Sequence, residues 1–589
     1  MEVPLFFVNL LNCEFLNITK CIQMHSNGIG YVCVVFILCN LPLVVFGKEK
    51  TKGKHKNVAD NMETLPKEEQ TEYFTIQKEV VVIGSGIAGL AAARRVASDQ
   101  SNFSVAVYEA RRDRFGGRVW TDKFEDKNAR GLAVDLGGSG LNVVSKNNPL
   151  IELAESFDLK SISLDSLQFI VPWEQKVYSR DDLSEITNKA FQILGKALNE
   201  SKSMKLDVSV KDAVDEVLKA EQLVERPEAY FVRCLPSYIL GDYSMHQYKP
   251  GHLDIGYEKV LLDGMGELVD RLLSGSPDEA PLHLYLNKAA RQIKVDKKRH
   301  KVLVRFQDGS QVSADRLVVA VPSSVIRDGD LLFEPPLPKH YHLAIKEIGM
   351  SAGDKIIVQF EHAFWSNDYG VFIRAVKEKV EIGQLQTWIN IKRLAGINTL
   401  ASFLTGDAAV RFEKLTEENA KQLVLDVLIE MFGEEKVLTG GKIVKFQRSK
   451  WVADEFSKGA STYPKVGSDP ALWDTFAQPL CPYIYFAGEH TLFDGHGSLH
   501  GAYNSGIRAG DQILTGLCEK QRKENERLKA EEKKKKKEAN ETDSVEEEDT
   551  DEEDEEISDK KRSKKDEGEK KKVQKDKNKI KKDKKKDEL

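Results

Sequence analysis

Three patterns of apolar and polar positions divide the chain. Near the start, Tyr31 to Phe46 (YVCVVFILCNLPLVVF) carries no charge and is interrupted by Pro42. The run is shorter than the roughly 20 residues that span a bilayer as a helix, and it fits a signal-peptide core better. It starts late, because residues 1–23 precede Met24. Initiation at Met24 would leave a more ordinary signal, and an uncleaved anchor is the alternative. In the body, Glu79 to Ile83 (EVVVI) is a short β-branched run of the kind expected of a buried parallel strand, and LAAARRVA soon after reads as a helix. Ser104 to Tyr108 predicts a second strand. Val302 to Val325 alternates like strands, and about Asp165 to Tyr248 reads as largely helical. At the far end, residues 519–589 hold 26 basic and 26 acidic side chains in 71 positions. Such a segment cannot bury enough apolar surface to offset its ordering entropy. A helix is expected only as far as about Ala539, with a charged disordered tail beyond.

The chain has 589 residues, 41% of them hydrophobic, enough for two or more domains. A net charge of -6 gives no warrant for nucleic-acid binding. Four of the seven cysteines lie in or before the apolar run, leaving Cys234, Cys481 and Cys518. Three scattered cysteines at no metal-binding spacing predict neither a metal site nor a disulfide. Lys586 to Leu589 reads KDEL, the receptor-read signal for return to the endoplasmic reticulum. Paired with an N-terminal translocation signal, it implies a lumenal protein whose C-terminus meets the KDEL receptor. Sequons at Asn102, Asn199 and Asn540 would be available there for glycosylation.

The chemistry starts directly after the first strand. Gly84-Ser85-Gly86-Ile87-Ala88-Gly89 lies between a strand and a helix, the context GxGxxG requires. Gly84 allows the tight turn, Gly86 lets a pyrophosphate approach, and Gly89 lets the helix pack on the strand. The helix N-terminus offers free N–H groups to phosphates. Glu109 closes the second strand, 20 residues beyond Gly89, where a carboxylate would hold ribose hydroxyls. These residues predict a dinucleotide site without separating NAD from FAD.

The next segments separate them. Glu109 to Val119 (EARRDRFGGRV) resembles the E-A-x-x-x-x-G-G-R segment of flavin-containing amine oxidases of the polyamine oxidase and lysine-specific histone demethylase type. Gly116, Gly117 and Arg118 match it directly. One extra residue leaves Arg111 and Arg112 both eligible for the first arginine. Val134 to Ser139 (VDLGGS) resembles the family's loop beside the flavin, which brings in Gly138 and Ser139. Leu284 to Ile293 resembles its L-N-x-x-V-x-x-I strand, with Ala290 against the adenine. Tyr485 to Gly506 (YFAGEHTLFDGHGSLHGAYNSG) is the most specific match. The resemblance places Glu489 by the diphosphate–ribityl part, and Ser498 and Leu499 by the isoalloxazine. Trp451 resembles a tryptophan that packs on the flavin.

The resemblance implies a two-domain α/β flavoprotein. It has a Rossmann-like FAD-binding domain (75–164, 251–332, 461–517) and an α+β substrate domain (165–250, 333–460), both discontinuous. Residues 1–47 would be the signal or anchor, 48–74 a linker and 518–589 the tail. It also implies oxidation of a small-molecule amine, with O2 as oxidant. Asp354 to Trp365 (DKIIVQFEHAFW) is similar to the family's lysine strand, which makes Lys355 the catalytic residue. Ala460 stands where monoamine oxidases attach flavin through cysteine, so the FAD should be non-covalent. Many relatives sandwich the amine between two aromatic rings. Here one position is Ser498, and Ser461 or Tyr463 corresponds to the other; Tyr463 is the expected substrate wall. A catalytically reduced, FAD-bound lumenal scaffold or chaperone-like protein is the alternative.

Overall fold

The computed structural model describes residues 75–98, 103–123, 133–142, 148–164, 166–248 and 258–545. The early apolar run, Asn102 and the KDEL lie outside them. The β-branched run lies in the strand Thr75–Ile83, with Val80 to Ile83 completely buried. Val105–Tyr108 and His283–Tyr285 follow in parallel on one side, Gln311–Val319 and then Ile484–Phe486 on the other. Antiparallel strands Lys301–Phe306 and Ala290–Asp296 extend this sheet, and Leu332–Glu334 pairs with its edge.

Period-two alternation explains why the first strand is apolar throughout. Val80 and Val82 pack with Leu90, Leu268 and Ala509 on one face. Val81 and Ile83 pack with Leu317, Tyr341 and Phe486 on the other. The helix Ile87–Ala97 leaves directly after the glycine turn and lies against the helix Leu499–Leu514. Close approach is possible because the later helix carries Gly506, where a Cβ would sit 2.2 Å from the Ala88 carbonyl oxygen.

A second sheet runs in the order Ile443–Arg448, Gly353–Phe360, Thr399–Thr405, Gln384–Asn390, Val371–Arg374, Leu167–Val171 and Lys176–Tyr178. The helix Glu417–Phe432 covers one face through Ala420, Val424 and Leu428, which meet Ile356, Val358 and Phe372. From the other face, Ile357 and Ala401 pack on Val134 and Leu136. That contact joins the lysine strand to the DLGGS loop. The helices Arg180–Ser201, Val210–Ala220 and Pro227–Val232 form a separate core with Phe169 and Ile373. Asn199 lies exposed near the end of the first of them, while the Ser201 of its sequon is buried.

Two expectations need correction. Cys481 and Cys518 form a disulfide, with Cα atoms 5.2 Å apart across 37 residues. Their separation in sequence hid it. They meet because Ile484–Phe486 and the end of the Leu499–Leu514 helix converge on one side of the first sheet. In a chain-entropy picture, closing such a loop contributes about 3–4 kcal/mol. The charged helix also extends further than expected, from Leu517 to Val545. Its start is pinned by the disulfide and by Arg316 pairing with Glu519 at 2.6 Å. Further along, i,i+3 and i,i+4 pairs such as Arg522–Glu526 and Arg527–Glu524 support it.

Candidate active site

One continuous cavity of about 360 Å³ runs from the carboxyl end of the first sheet to the lysine strand. At the first end lie Gly84, Ser85 and Gly86, followed by the N-terminus of Ile87–Ala97. Gly84 has φ +95°, and a Cβ there would meet the Ala320 carbonyl oxygen at 2.7 Å. Gly89 does not line the cavity. It lets the helix settle on the turn, since its Cβ would fall 1.9 Å from the Gly84 oxygen. Glu109 is buried at the end of the second strand. Its Oε2 accepts from the Ser85 N–H at 3.0 Å and from the Ser85 hydroxyl, and its Oε1 accepts from the Arg111 N–H at 2.9 Å. Ala290 lies nearby in the wall.

Arg111 lines the cavity and Arg112 does not. Arg111 reaches across in a two-point bridge to Asp454, at 2.6 and 2.7 Å. Asp454 responds: burial would raise its carboxyl, and the Arg111 bond and charge overcome that and lower it. Glu109→Arg would set a second cation against Arg111 and strip the Ser85 and Arg111 donors of their acceptor. The expected result is purified protein without visible flavin absorbance; full FAD content would refute the placement of Glu109.

Midway, Gly117 and Arg118 face Glu489. Arg118 Nη1 donates to Glu489 Oε1 at 2.8 Å and to the Ala460 carbonyl at 2.8 Å. Glu489 Oε2 accepts from the Thr462 hydroxyl and from the Gly497 N–H at 2.9 Å. Burial alone would raise this carboxyl; Arg118, Thr462 and Gly497 overcome it and hold it at about 2. Glu489 thus knots three segments together and carries its charge for that purpose. The neighbouring His490, also in the wall, was carried in the sequence only as part of the Tyr485 to Gly506 segment. Burial pushes its imidazole down to about 4.

At the far end, Ser498 is the N-cap of Leu499–Leu514. Its hydroxyl accepts from the Gly501 N–H at 3.0 Å and donates to the Gly495 carbonyl at 2.8 Å. This is a local reason for serine at that position. Leu499 packs on Gly138, where a Cβ would approach within 2.8 Å. Both line the cavity, so the helix N-terminus is directed at it. Trp451 also lines it, and its indole N–H donates to the Leu136 carbonyl at 3.2 Å.

Lys355 is 6% exposed and lines the same end. Nζ donates to the Gly137 carbonyl at 2.9 Å and to Ser139 Oγ at 2.8 Å, and lies 5.1 Å from the centre of the Phe403 ring. Ser139 therefore acts by holding the lysine and does not itself line the cavity. The structure places Tyr463 elsewhere than expected. Its ring packs among the helical core, stacked on Tyr243, and its hydroxyl donates to Asp242 at 2.6 Å. Ser461 occupies the wall instead, its hydroxyl 3.0 Å from that of Ser351. Side-chain alternation along Ser461-Thr462-Tyr463 does not decide which residue faces in. Phe403, Leu404 and Thr405 also line this end, and no motif in the sequence marked them.

A phosphate-ready helix start, a buried acid beyond it and a lysine at the other end of one cavity fit an extended dinucleotide flavin. Residues 87–514 match the family model for flavin containing amine oxidoreductases, and the chain belongs to that family. Its cofactor is FAD, and it is an FAD-dependent amine oxidase. Among curated relatives, it is 28% identical over 453 residues to polyamine oxidase 4 of Oryza sativa subsp. japonica, covering 74% of this chain and 88% of that one. It is 27% identical over 467 residues to polyamine oxidase 2 of Arabidopsis thaliana, covering 76% and 90%. Lysine-specific histone demethylase 1 homolog 2 of Arabidopsis thaliana is 28% identical over 457 residues, covering 74% of this chain but 58% of its own. A putrescine oxidase redesigned in its cofactor binding shares the fold, with a TM-score of 0.60 at 21% identity, over 75% of this chain and all of the other.

Proposed function

We propose that the protein oxidises a C–N bond of a small-molecule amine to an imine, which water hydrolyses to a carbonyl compound and a smaller amine, while O2 is reduced to H2O2. FAD held by Arg118, Glu109 and the helix start at Ile87 would supply the acceptor for the hydride lost from the carbon beside the amine nitrogen. The observation that carries this reading is the buried Lys355 Nζ, fixed at the cavity wall by Gly137 and Ser139. A fixed Nζ can hold a water or pass a proton during imine hydrolysis. The N-terminus of Leu499–Leu514 favours negative charge gathering at that end of the cavity. Arg118 and the helix start at Ile87 suit the diphosphate, and Glu109 suits ribose hydroxyls.

The FAD is held without a covalent bond. Ala460 offers no nucleophile to the cavity, and Cys234, the free cysteine among the described residues, is buried outside its lining. The polyamine and putrescine oxidases among the similar proteins favour a polyamine-like amine as substrate. The purified protein, given a panel of polyamines, monoamines and modified lysines, should release peroxide with at least one. Bound FAD that no amine reduces would favour the catalytically reduced scaffold.

The site of action in this proposal is the endoplasmic reticulum lumen. The Cys481–Cys518 bridge supports it, because disulfides persist in oxidising compartments. Among the described residues no helix is long and apolar enough to cross a membrane. Deleting Lys586 to Leu589 should send the protein into the medium. Retention in the membrane after alkaline extraction would mark the early apolar run as an anchor, and a cytosolic signal in both forms would overturn the lumenal reading.

A further inference from the structure

The turn that presents Trp451 to the cavity is gripped from below by two carboxyl groups. Asp354 precedes Lys355 on the same strand, so the two side chains leave opposite faces. Lys355 enters the cavity, while the Asp354 side chain meets the turn Ser449 to Ala453. Asp354 Oδ1 accepts from Ser449 Oγ at 2.8 Å and from the Trp451 N–H at 2.9 Å. Glu413, the last residue of the helix Asp407–Glu413, accepts the Val452 N–H at 2.8 Å on Oε1 and the Ala453 N–H at 3.0 Å on Oε2. Four donors of one turn are thus divided between two acids.

The two carboxyls lie side by side, because the N–H groups they accept, those of Trp451 and Val452, are consecutive in the chain. Both oxygens of Glu413 are occupied by backbone donors. Asp354 Oδ2 is buried, and no donor reaches it. An anion there would be desolvated and set against another anion. A proton on Oδ2 replaces that repulsion with attraction to Glu413. Burial first, and then Glu413, hold the Asp354 carboxyl well above its ordinary range. Of the cations nearby, Lys414 and Lys450 are exposed, and Arg114 lies over the Trp451 ring and donates to the Gly117 and Val119 carbonyls. Lys355 Nζ is on the opposite face with Gly137 and Ser139, and Arg448 donates to the Phe412 and Leu415 carbonyls.

We propose that Asp354 and Glu413 are positioning residues that share one proton, and that this proton holds the Ser449 to Ala453 turn, and with it Trp451, against the FAD cavity. Losing it sets two carboxylates face to face and loosens the turn. FAD retention then falls as pH rises into the range where buried carboxyls titrate, as high as about 8–9.

The test is the rate at which the holoenzyme releases FAD, followed by flavin fluorescence from about pH 6.5 to 9.5. Wild type should release it about tenfold faster or more at the upper end. Asp354→Asn has no proton to lose, retains an oxygen for Ser449 and Trp451, and can donate to Glu413. Its release rate should vary less than about twofold across the range. Asp354→Ala should release FAD quickly at every pH. If Asp354→Asn does not fold, Glu413→Gln decides, since removing the facing charge should also flatten the profile. A flat wild-type profile, or a wild-type-like rise in Asp354→Asn or Glu413→Gln, would overturn the proposal. The idea rests on the cavity holding FAD. Protein that binds no FAD at any pH would remove that premise, whereas pH-independent release removes only the shared proton.

Discussion

Lys355→Met is expected to slow anaerobic reduction of the bound flavin by an amine about 100-fold or more, the scale of losing a positioned proton-transfer group. Methionine keeps the apolar stem against Phe403 and removes the amine. FAD should remain bound, because Nζ donates to Gly137 and Ser139, away from the Gly84 to Glu109 end. Stability should change little. The variant no longer desolvates an ammonium, but the Gly137 carbonyl loses a donor, and the two effects oppose. Stopped-flow absorbance of wild type and variant under the same amine decides it. Equal reduction rates would deny Lys355 any part in the chemistry. Loss of FAD along with activity would make it a structural support for the DLGGS loop.

Local sequence carried most of the cofactor end. Gly84 to Gly89 and Glu109 announce themselves because one strand, one turn and one helix put them in contact, and short-range spacing is enough. Ser498 came only from the resemblance, as a neighbour of the isoalloxazine, and its role as a helix cap comes from the structure. What escaped was long-range. Arg111 meets Asp454 across 343 positions, and Glu489 gathers Arg118 and Thr462 from two distant segments. Tyr463 was misplaced because the strand Thr462–Pro464 is short and buried throughout, so its pattern of apolar residues does not reveal its inward face. The disulfide was missed for a related reason. Cysteine spacing speaks to bridges only where a small framework leaves few alternatives, and here the fold itself brings Cys481 to Cys518.

Glu489→Gln should destabilise the folded protein by about 3 kcal/mol at neutral pH, within the range for breaking a buried ion pair from one side. The amide supplies one acceptor where the carboxylate supplies two, and its NH2 must oppose either Arg118 or the Thr462 and Gly497 donors. Arg118 would be left partly buried without its counter-charge. The pH dependence separates this from simple packing loss. The Glu489 carboxyl is held at about 2 in the folded protein, below its ordinary value of 4.5. A depressed carboxyl contributes its stability fully above the unfolded value and loses it as pH falls toward the folded one. The gap in melting temperature between wild type and Glu489→Gln should therefore be constant from neutral pH down to about 5, and narrow steadily below that. Thermal melts of both holoproteins from about pH 7.5 to 3 measure it. A gap that stays constant down to pH 3 would show that the charge of Glu489 contributes nothing, and that the three segments are held by shape and neutral hydrogen bonds alone.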